Sequence, residues 1–280
     1  MINKLVLFID GLLSNNLKKV KNLNRFIALI CLIFLIQVMS QENVNFSWNF
    51  RYVYSIFLIF IGYIFQSLSW SYIISEKPQI KDLISWFTSL IGKYLPLKIG
   101  IPILRITDDL YVDNPDSKKY LYGVLIEVFL QIASGCLLVS VYVLSSFVSE
   151  SYSFGFFVYF IILICNYLIY RNKYILIVIT NSISYLFFIL SITFAGIILY
   201  QETIIELGLA YVFSSVVSLI FVGSPAGIGV REYIFILLFQ NNVFFEIVNF
   251  VEFLIVVRLL FIFSDMFSFL IGKVIKALNT

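Results

Sequence analysis

Five ionisable side chains lie inside long apolar runs of this chain: Glu127, Arg231, Glu232, Arg258 and Asp265. Placing one charge in a bilayer core costs at least roughly 2.5–3.5 kcal/mol, so each must pair with an opposite charge or meet water. Arg258 and Asp265 are seven residues apart, a spacing that puts both on one face of a helix. We expect them to pair with Glu232 and Arg231 across two helices.

A helix breaker and two glycines precede Arg231 and Glu232. The stretch Pro225-Ala226-Gly227-Ile228-Gly229-Val230-Arg231-Glu232 interrupts an apolar run. Proline lacks an N–H and glycine tolerates positive φ, so a continuous helix is not expected here. If a half-helix begins at Val230, its free N–H groups and Arg231 favour an anionic group nearby. A simple kink in a span is the alternative, because proline and glycine are common in membrane helices.

A second interruption lies upstream, at Pro96-Leu97-Lys98-Ile99-Gly100. Both interruptions have the pattern Pro-x-x-Ile-Gly and both are followed by an arginine, which is Arg105 in the upstream case. Paired interruptions are typical of transporters built from repeats, in which broken helices meet around a central site. The four spans expected between the interruptions would make these repeats parallel.

Residues near the two interruptions favour a phosphate site. We expect the phosphate to be held by four basic side chains, Lys93, Lys98, Arg105 and Arg231, because cationic donors are suited to phosphate oxygens. Three carboxylates would compete for those cations and permit release, namely Glu127, Glu232 and Asp265. The candidate binding set also includes Gln131, Pro225, Gly227, Gly229 and Arg258. The alternative is a group of structural ion pairs that hold the helices together.

Gly123, Glu127, Gln131 and Gly135 follow one another at four-residue intervals. They form one stripe on a helix, and we expect that stripe to face protein. The glycines are better explained by close helix packing than by ligand contact. Glu127 and Gln131 are therefore the functional candidates of the stripe.

The composition indicates a multi-span membrane protein. The 280 residues are 61% hydrophobic and 12% charged, with a mean hydropathy of +1.00, values outside the range of soluble domains. Apolar runs of roughly 18 residues or more favour helices over a barrel. Histidine is absent and the three cysteines form no close pair, which excludes His-based acid–base chemistry and a Cys/His zinc site. We expect no metal or other cofactor, and nucleic-acid binding is not expected.

The predicted fold is an all-α polytopic bundle of about eight transmembrane helices with two interrupted or re-entrant segments. We expect an amphipathic N-terminal segment over 1–25, a transmembrane domain over 26–272 and a tail over 273–280. The spans are predicted near 26–40, 52–72, 120–148, 154–170, 175–200, 204–222, 233–239 and 245–270, with a re-entrant segment over 83–106. Trp70 and Tyr72 are expected to be interfacial aromatics that close the second span.

The distribution of basic residues predicts the orientation. In this layout 16 of the 19 lysines and arginines lie on one side, and Arg51 lies on the other. Positive charge marks the cytoplasmic side, so we expect both termini in the cytoplasm of a chain that crosses the cell membrane an even number of times.

The two interruptions resemble motifs of the lysylphosphatidylglycerol synthase transmembrane, or flippase-like, family. Residues 225–232 resemble its Pro-Gly-Gly-Leu-Gly-Val-Arg-Glu signature, and residues 92–98 resemble its Lys-Tyr-hydrophobic-Pro-Gly-Lys segment. Arg105, Glu127 and Arg258 fall where the family tends to have Arg, Glu and Arg, and the resemblance extends from about 56 to 271. Ala226 and Leu97 depart from the family's glycines.

The resemblance implies a membrane protein that moves a phosphate-bearing lipid, or a lipid-linked saccharide, between leaflets. The soluble aminoacyl-transferase domain of some relatives is absent, so lysyl transfer is not implied. No ATP-binding motif is present, and transport would be passive, ion-coupled or assisted by a partner. The partners expected are a membrane phospholipid or polyprenyl-phosphate-linked sugar, with a second copy of the chain or a protein of envelope assembly as further candidates.

Two other functions remain open at this point. One is a membrane-embedded enzyme of polysaccharide or polyprenyl-phosphate lipid assembly, for which the acidic loop over 108–116 is the one candidate catalytic loop. That loop fits no calcium-binding pattern and is better explained as solvated. The other is a partner subunit that transports nothing itself, in which intramembrane charges face another protein.

Overall fold

The computed structural model describes residues 49–94, 100–106, 117–148, 172–200, 205–220, 229–239 and 250–279. All regular elements in these ranges are helical. In chain order they are α1 Tyr52–Ser75, α2 Ile80–Ser89, a 3₁₀ helix Leu90–Tyr94, α3 Gly100–Ile106, α4 Ser117–Val148, α5 Lys173–Tyr200, α6 Ile205–Ile220, α7 Val230–Phe239 and α8 Phe250–Asn279. The expectation of an all-helical protein is thereby met in the described ranges.

Four of these helices are long and apolar enough to cross a membrane: α1, α4, α5 and α8. Helix α6 is apolar but shorter, and α7 has ten residues. The spans predicted near 26–40 and 154–170 lie outside the described residues, as do residues 1–25 and the acidic loop over 108–116. The fold is therefore that of a multi-pass helical protein with at least four candidate spans.

Helices α1 and α5 form the closest pair and run antiparallel. The hydroxyls of Ser55 and Ser191 each donate to the other residue's backbone carbonyl, at 3.2 and 2.9 Å. At the opposite end Lys173 donates to Glu76 at 2.5 Å, and this hydrogen bond lowers the pKa of the Glu76 carboxyl. Small residues permit such close approach between membrane helices. A Cβ at Gly62, for example, would lie 2.5 Å from the Phe188 ring.

The segment between α1 and α4 is broken, as the sequence predicts. Helix α2 tightens into the 3₁₀ helix, and α3 begins at Gly100. Pro102 lies in the first turn of α3, where a missing N–H is tolerated. The two arms of the segment meet closely, because a Cβ at Gly92 would lie 2.5 Å from the backbone carbonyl carbon of Gly100.

Several predicted helix ends differ from those observed; α1, for example, ends at Ser75 and not at 72. Helix α4 begins at Ser117, three residues before the predicted start at 120. Helix α8 continues to Asn279, so the residues predicted as a tail, apart from the last, extend it. Lys276 lies in its last turn, where a cation is stabilised by the carboxyl end of the helix dipole.

Candidate functional site

Seven charged residues from five helical elements form a polar cluster inside the bundle. The cluster comprises Lys93, Arg105, Glu127, Arg231, Glu232, Arg258 and Asp265. Three ion pairs in the cluster join Lys93 to Asp265, Arg105 to Glu127 and Arg258 to Glu232. The structure therefore brings together the charged residues that the sequence singles out, except Lys98, which lies outside the described residues.

Asp265 on α8 accepts from three donors. Lys93 Nζ lies 2.5 Å from its Oδ2, the Tyr94 hydroxyl donates to Oδ2 at 2.5 Å, and the Tyr63 hydroxyl donates to Oδ1 at 2.6 Å. Lys93 Nζ also donates to the Tyr63 oxygen at 3.3 Å. A carboxylate as buried as this one requires such compensation. The 3₁₀ helix is thereby tied to the middle of both α1 and α8.

Glu127 on α4 and Arg105 on α3 are enclosed by aromatic and hydroxyl groups. Arg105 donates to the Glu127 carboxylate and, through Nε, to Ser89 Oγ at 3.0 Å. Trp86 Nε1 donates to the same carboxylate at 2.7 Å. The Arg105 guanidinium also lies 3.9 Å from the Trp70 ring centroid, a cation–π contact. Trp70 is fully buried and packs against this guanidinium; its interfacial position stays a prediction.

Glu232 lies in the first turn of α7 and joins that helix to α8. Arg258 Nε donates to its Oε1 at 2.6 Å, and the Gly229 N–H donates to its Oε2 at 2.7 Å. Gly229 has φ +84°, a left-handed conformation that explains a glycine at this position. The helix begins at Val230, as predicted, and its first-turn carboxylate satisfies one of its open N–H groups.

Arg231 points towards α6. It donates to the Tyr211 hydroxyl at 2.9 Å, and its guanidinium lies 5.2 Å from the Tyr211 ring centroid. Lys93 meets α8 at Asp265, seven residues from Arg258, and Arg231 is adjacent in sequence to the Glu232 that binds Arg258. Of the two cross-helix pairs expected, Arg258 with Glu232 is present, whereas Asp265 receives Lys93 in place of the expected Arg231.

The remaining candidates contribute less to the cluster. Gly123 packs on Ile74 and Gly135 on Val216, where an added Cβ would approach to 2.6 and 2.3 Å. The prediction that these glycines serve helix packing is confirmed. Gln131 accepts through its backbone carbonyl from the Tyr185 hydroxyl at 3.1 Å. Pro225 and Gly227 lie outside the described residues.

Sequence reasoning missed the aromatic partners of the cluster: Tyr63, Trp86, Tyr94 and Tyr211. The chain has 18 tyrosines and 30 phenylalanines, so no composition or spacing marks these positions. Tyr94 alone had a local signal, since it follows Lys93 directly. The Tyr63 and Trp86 rings lie 5.6 Å apart, and this contact connects the Asp265 and Glu127 pairs.

In the part of the chain that the structure describes, the cluster joins Lys93, Arg105 and Arg258 to carboxylates and Arg231 to the Tyr211 hydroxyl. Within the described ranges no group of three or more Asp, Glu, Cys or His side chains could hold a metal ion. Guanidinium and ammonium groups that approach one another in a buried region are suited to an anion with several oxygens, such as a phosphate. No family model, curated protein or solved structure matches the chain.

Proposed function

We propose that this protein moves a phosphate-bearing lipid, or a lipid-linked saccharide, between the leaflets of a membrane, and that the polar cluster binds the phosphate. One observation carries the proposal. Cationic side chains from three elements, Lys93, Arg231 and Arg258, lie where the 3₁₀ helix and α7 meet α8, and the side chains of Lys93 and Arg258 are 24% and 14% exposed. Several ammonium and guanidinium donors together are suited to the oxygens of a phosphate. The phosphate of a lipid headgroup is such a ligand.

The proposed architecture has two re-entrant or interrupted segments within about eight crossings. The upstream segment comprises α2, the 3₁₀ helix and α3, and it carries Lys93 and Arg105. The downstream segment leads into α7, whose first turn carries Arg231 and Glu232. Non-helical backbone at membrane depth is tolerated where it is buried in protein or lines a water-filled cavity. Residues of both segments contact α8, through Lys93 with Asp265 and Glu232 with Arg258. Transporters with broken helices build their binding sites from interrupted segments that meet in this way.

The resemblance to the flippase-like family supports the same proposal. The two stretches that carry it, residues 92–98 and 225–232, contain Lys93, Arg231 and Glu232. These residues take part in the cluster, so the motifs coincide with the candidate site. The proposed location is the cell membrane, with both termini in the cytoplasm and movement that is passive, ion-coupled or driven by a partner.

Lipid movement in liposomes tests the proposal. The purified protein is reconstituted with a fluorescent phospholipid and, separately, with a polyprenyl-phosphate sugar, and transfer between leaflets is followed by quenching from outside. We expect movement above that in empty liposomes, abolished by Arg231→Ala and by Glu232→Ala. Arg51→Ala is the control, because Arg51 is an exposed arginine outside the cluster.

Folding of each variant is verified by size-exclusion chromatography before reconstitution. Wild-type protein that moves neither lipid faster than empty liposomes would contradict the proposal. That outcome would favour the enzyme of lipid assembly or the partner subunit. Equal movement by the wild type and both alanine variants would also exclude the cluster as the transport site.

A further inference from the structure

The three ion pairs differ in how accessible their side chains are to a ligand. The side chains of Arg105 and Glu127 are 3% and 5% exposed, and Ser89, Trp70 and Trp86 take up their remaining contacts. The side chains of Arg258 and Glu232 are 14% and 23% exposed. Lys93 is 24% exposed, although its partner Asp265 is at 1%. A phosphate can therefore approach Arg258, Glu232 and Lys93, but not the sealed Arg105 pair.

Glu232 has the surroundings that an anionic ligand would require. Its two oxygens accept from Arg258 Nε at 2.6 Å and from the Gly229 N–H at 2.7 Å. Arg231 is its neighbour in sequence, and Lys93 reaches α8 at Asp265, seven residues from Arg258 on the same helix. Asp265 differs, because it is buried and is held by three donors from two other elements. Glu232 is thus the carboxylate that an incoming anion can replace at the least cost.

We infer that Glu232 is an internal stand-in for the phosphate of the transported lipid. In the state seen here its carboxylate binds Arg258. The lipid phosphate displaces it and binds Arg258, with Arg231 and Lys93 completing the coordination. Return of Glu232 to Arg258 then releases the lipid. Arg105 and Glu127 take no part in binding; they fix α3 and α4 in position. This inference rests on the proposed function and narrows its site to α7, α8 and the 3₁₀ helix.

If Glu232 competes with the lipid phosphate for Arg258, removal of its charge should increase the affinity for lipid. A purely structural role of Glu232 predicts a decrease. Replacing Glu232 by Gln removes the competing charge and keeps the side-chain shape with one acceptor oxygen, which can serve Arg258 or the Gly229 N–H but not both as the two carboxylate oxygens do. We expect Glu232→Gln to bind dihexanoyl-phosphatidylglycerol about fivefold or more tightly than the wild type, while lipid movement slows because release is impaired. Arg258→Gln should weaken the same binding at least about tenfold. Affinities are measured by thermophoresis of the full chain in detergent.

Three further binding measurements show which part of the lipid the protein recognises. Dihexanoylglycerol has the same chains without phosphate and should bind all variants weakly and equally. Sodium phosphate should compete with the lipid if the phosphate group alone is recognised; a lack of competition together with tight lipid binding assigns the site to the whole headgroup. Glu206→Gln, a glutamate exposed at the start of α6, is the matched control and should bind as the wild type does.

The outcomes decide between the two proposals. If the wild type binds the phospholipid but Glu232→Gln binds it no more tightly, the stand-in assignment is overturned and the proposed function stands. If the wild type binds phosphatidylglycerol no better than dihexanoylglycerol, both are overturned. Failure of Glu232→Gln and Glu232→Ala to fold would also overturn the assignment, since a carboxylate that the fold requires cannot be displaced by a ligand.

Discussion

Single residues show how this chain stabilises charge in an apolar interior. Three donors surround Asp265, and Glu127 accepts from both Arg105 and Trp86. The free-energy cost of desolvating a buried charge is offset only when the opposite charge is close and the remaining lone pairs accept hydrogen bonds. Both conditions hold for these two carboxylates. Removing one partner should therefore be far more damaging than removing both.

The Arg105–Glu127 pair provides the test of this argument. Glu127→Ala leaves the Arg105 guanidinium buried between Ser89 and Trp70 without a carboxylate, and we expect it to lower the free energy of unfolding by about 3–5 kcal/mol. The double variant Arg105→Gln/Glu127→Gln should recover most of that loss, because no unpaired charge remains. Denaturant unfolding in detergent measures both values.

An exposed ion pair serves as the control for this prediction. Lys173→Ala breaks the surface pair with Glu76, and exposed pairs contribute little to stability. Its unfolding should differ barely from that of the wild type. A double variant as unstable as Glu127→Ala would show that the side chains contribute through shape and not through charge.

At the level of helices and segments, close backbone approach determines the geometry of the site. The serine pair and Gly62 bring α1 and α5 together. Gly92 permits the 3₁₀ helix to lie against the start of α3, which places Lys93 beside Tyr63 and Asp265. Backbone atoms cannot move aside as a flexible side chain can. A methyl group at Gly92 should thus displace the whole segment.

Gly92→Ala tests this role of the glycine. Its Cβ would lie 2.5 Å from the carbonyl carbon of Gly100 and from the backbone nitrogen of Ile101, so we expect a loss of about 1–3 kcal/mol in the free energy of unfolding together with loss of lipid movement. Gly196→Ala is the matched control, because its Cβ would meet only the end of the Leu207 side chain at 3.3 Å. Equal effects of the two substitutions would argue against a tight junction at Gly92.

Across the whole molecule, the antiparallel pairing of α1 and α5 defines two ends of the bundle. Glu76 and Lys173 mark one end, and Tyr52 and Tyr200 mark the other. Among the described basic residues next to α1 and α5, Lys77, Lys81 and Lys173 lie at the end where α1 terminates, and Arg51 lies at the other. Positive charge is retained on the cytoplasmic side, so this end should face the cytoplasm.

Cysteine labelling tests the orientation. In a chain with Cys31, Cys136 and Cys165 replaced by serine, Arg51→Cys and Lys77→Cys each place one thiol at an exposed position at opposite ends of α1. A membrane-impermeant maleimide should label Arg51→Cys in intact cells, but Lys77→Cys only after permeabilisation. Labelling of both variants from the same side would mean that α1 does not cross the membrane.

The sequence by itself determined the class of protein and the places where helices break. Apolar runs of sufficient length favour helices in a bilayer, and the Pro and Gly residues near 96–102 and 225–229 disfavour a continuous helix. The start of α7 at Val230 and the broken segment before α4 follow from these local rules. The sequence also implied that each intramembrane charge needs a partner, because the free-energy cost of placing an unpaired charge in a bilayer can be read from the residue type.

Only the tertiary structure decided which partner each charge has. Asp265 binds Lys93, Tyr94 and Tyr63, the tyrosines being 171 and 202 residues away in the chain. Trp86 donates to Glu127 over 41 residues, and Trp70 packs against Arg105. Such pairings depend on how helices approach at small residues such as Gly92 and Gly62. No local pattern carries that information, because hydrogen bonds and ion pairs form by distance in space and not by spacing in sequence.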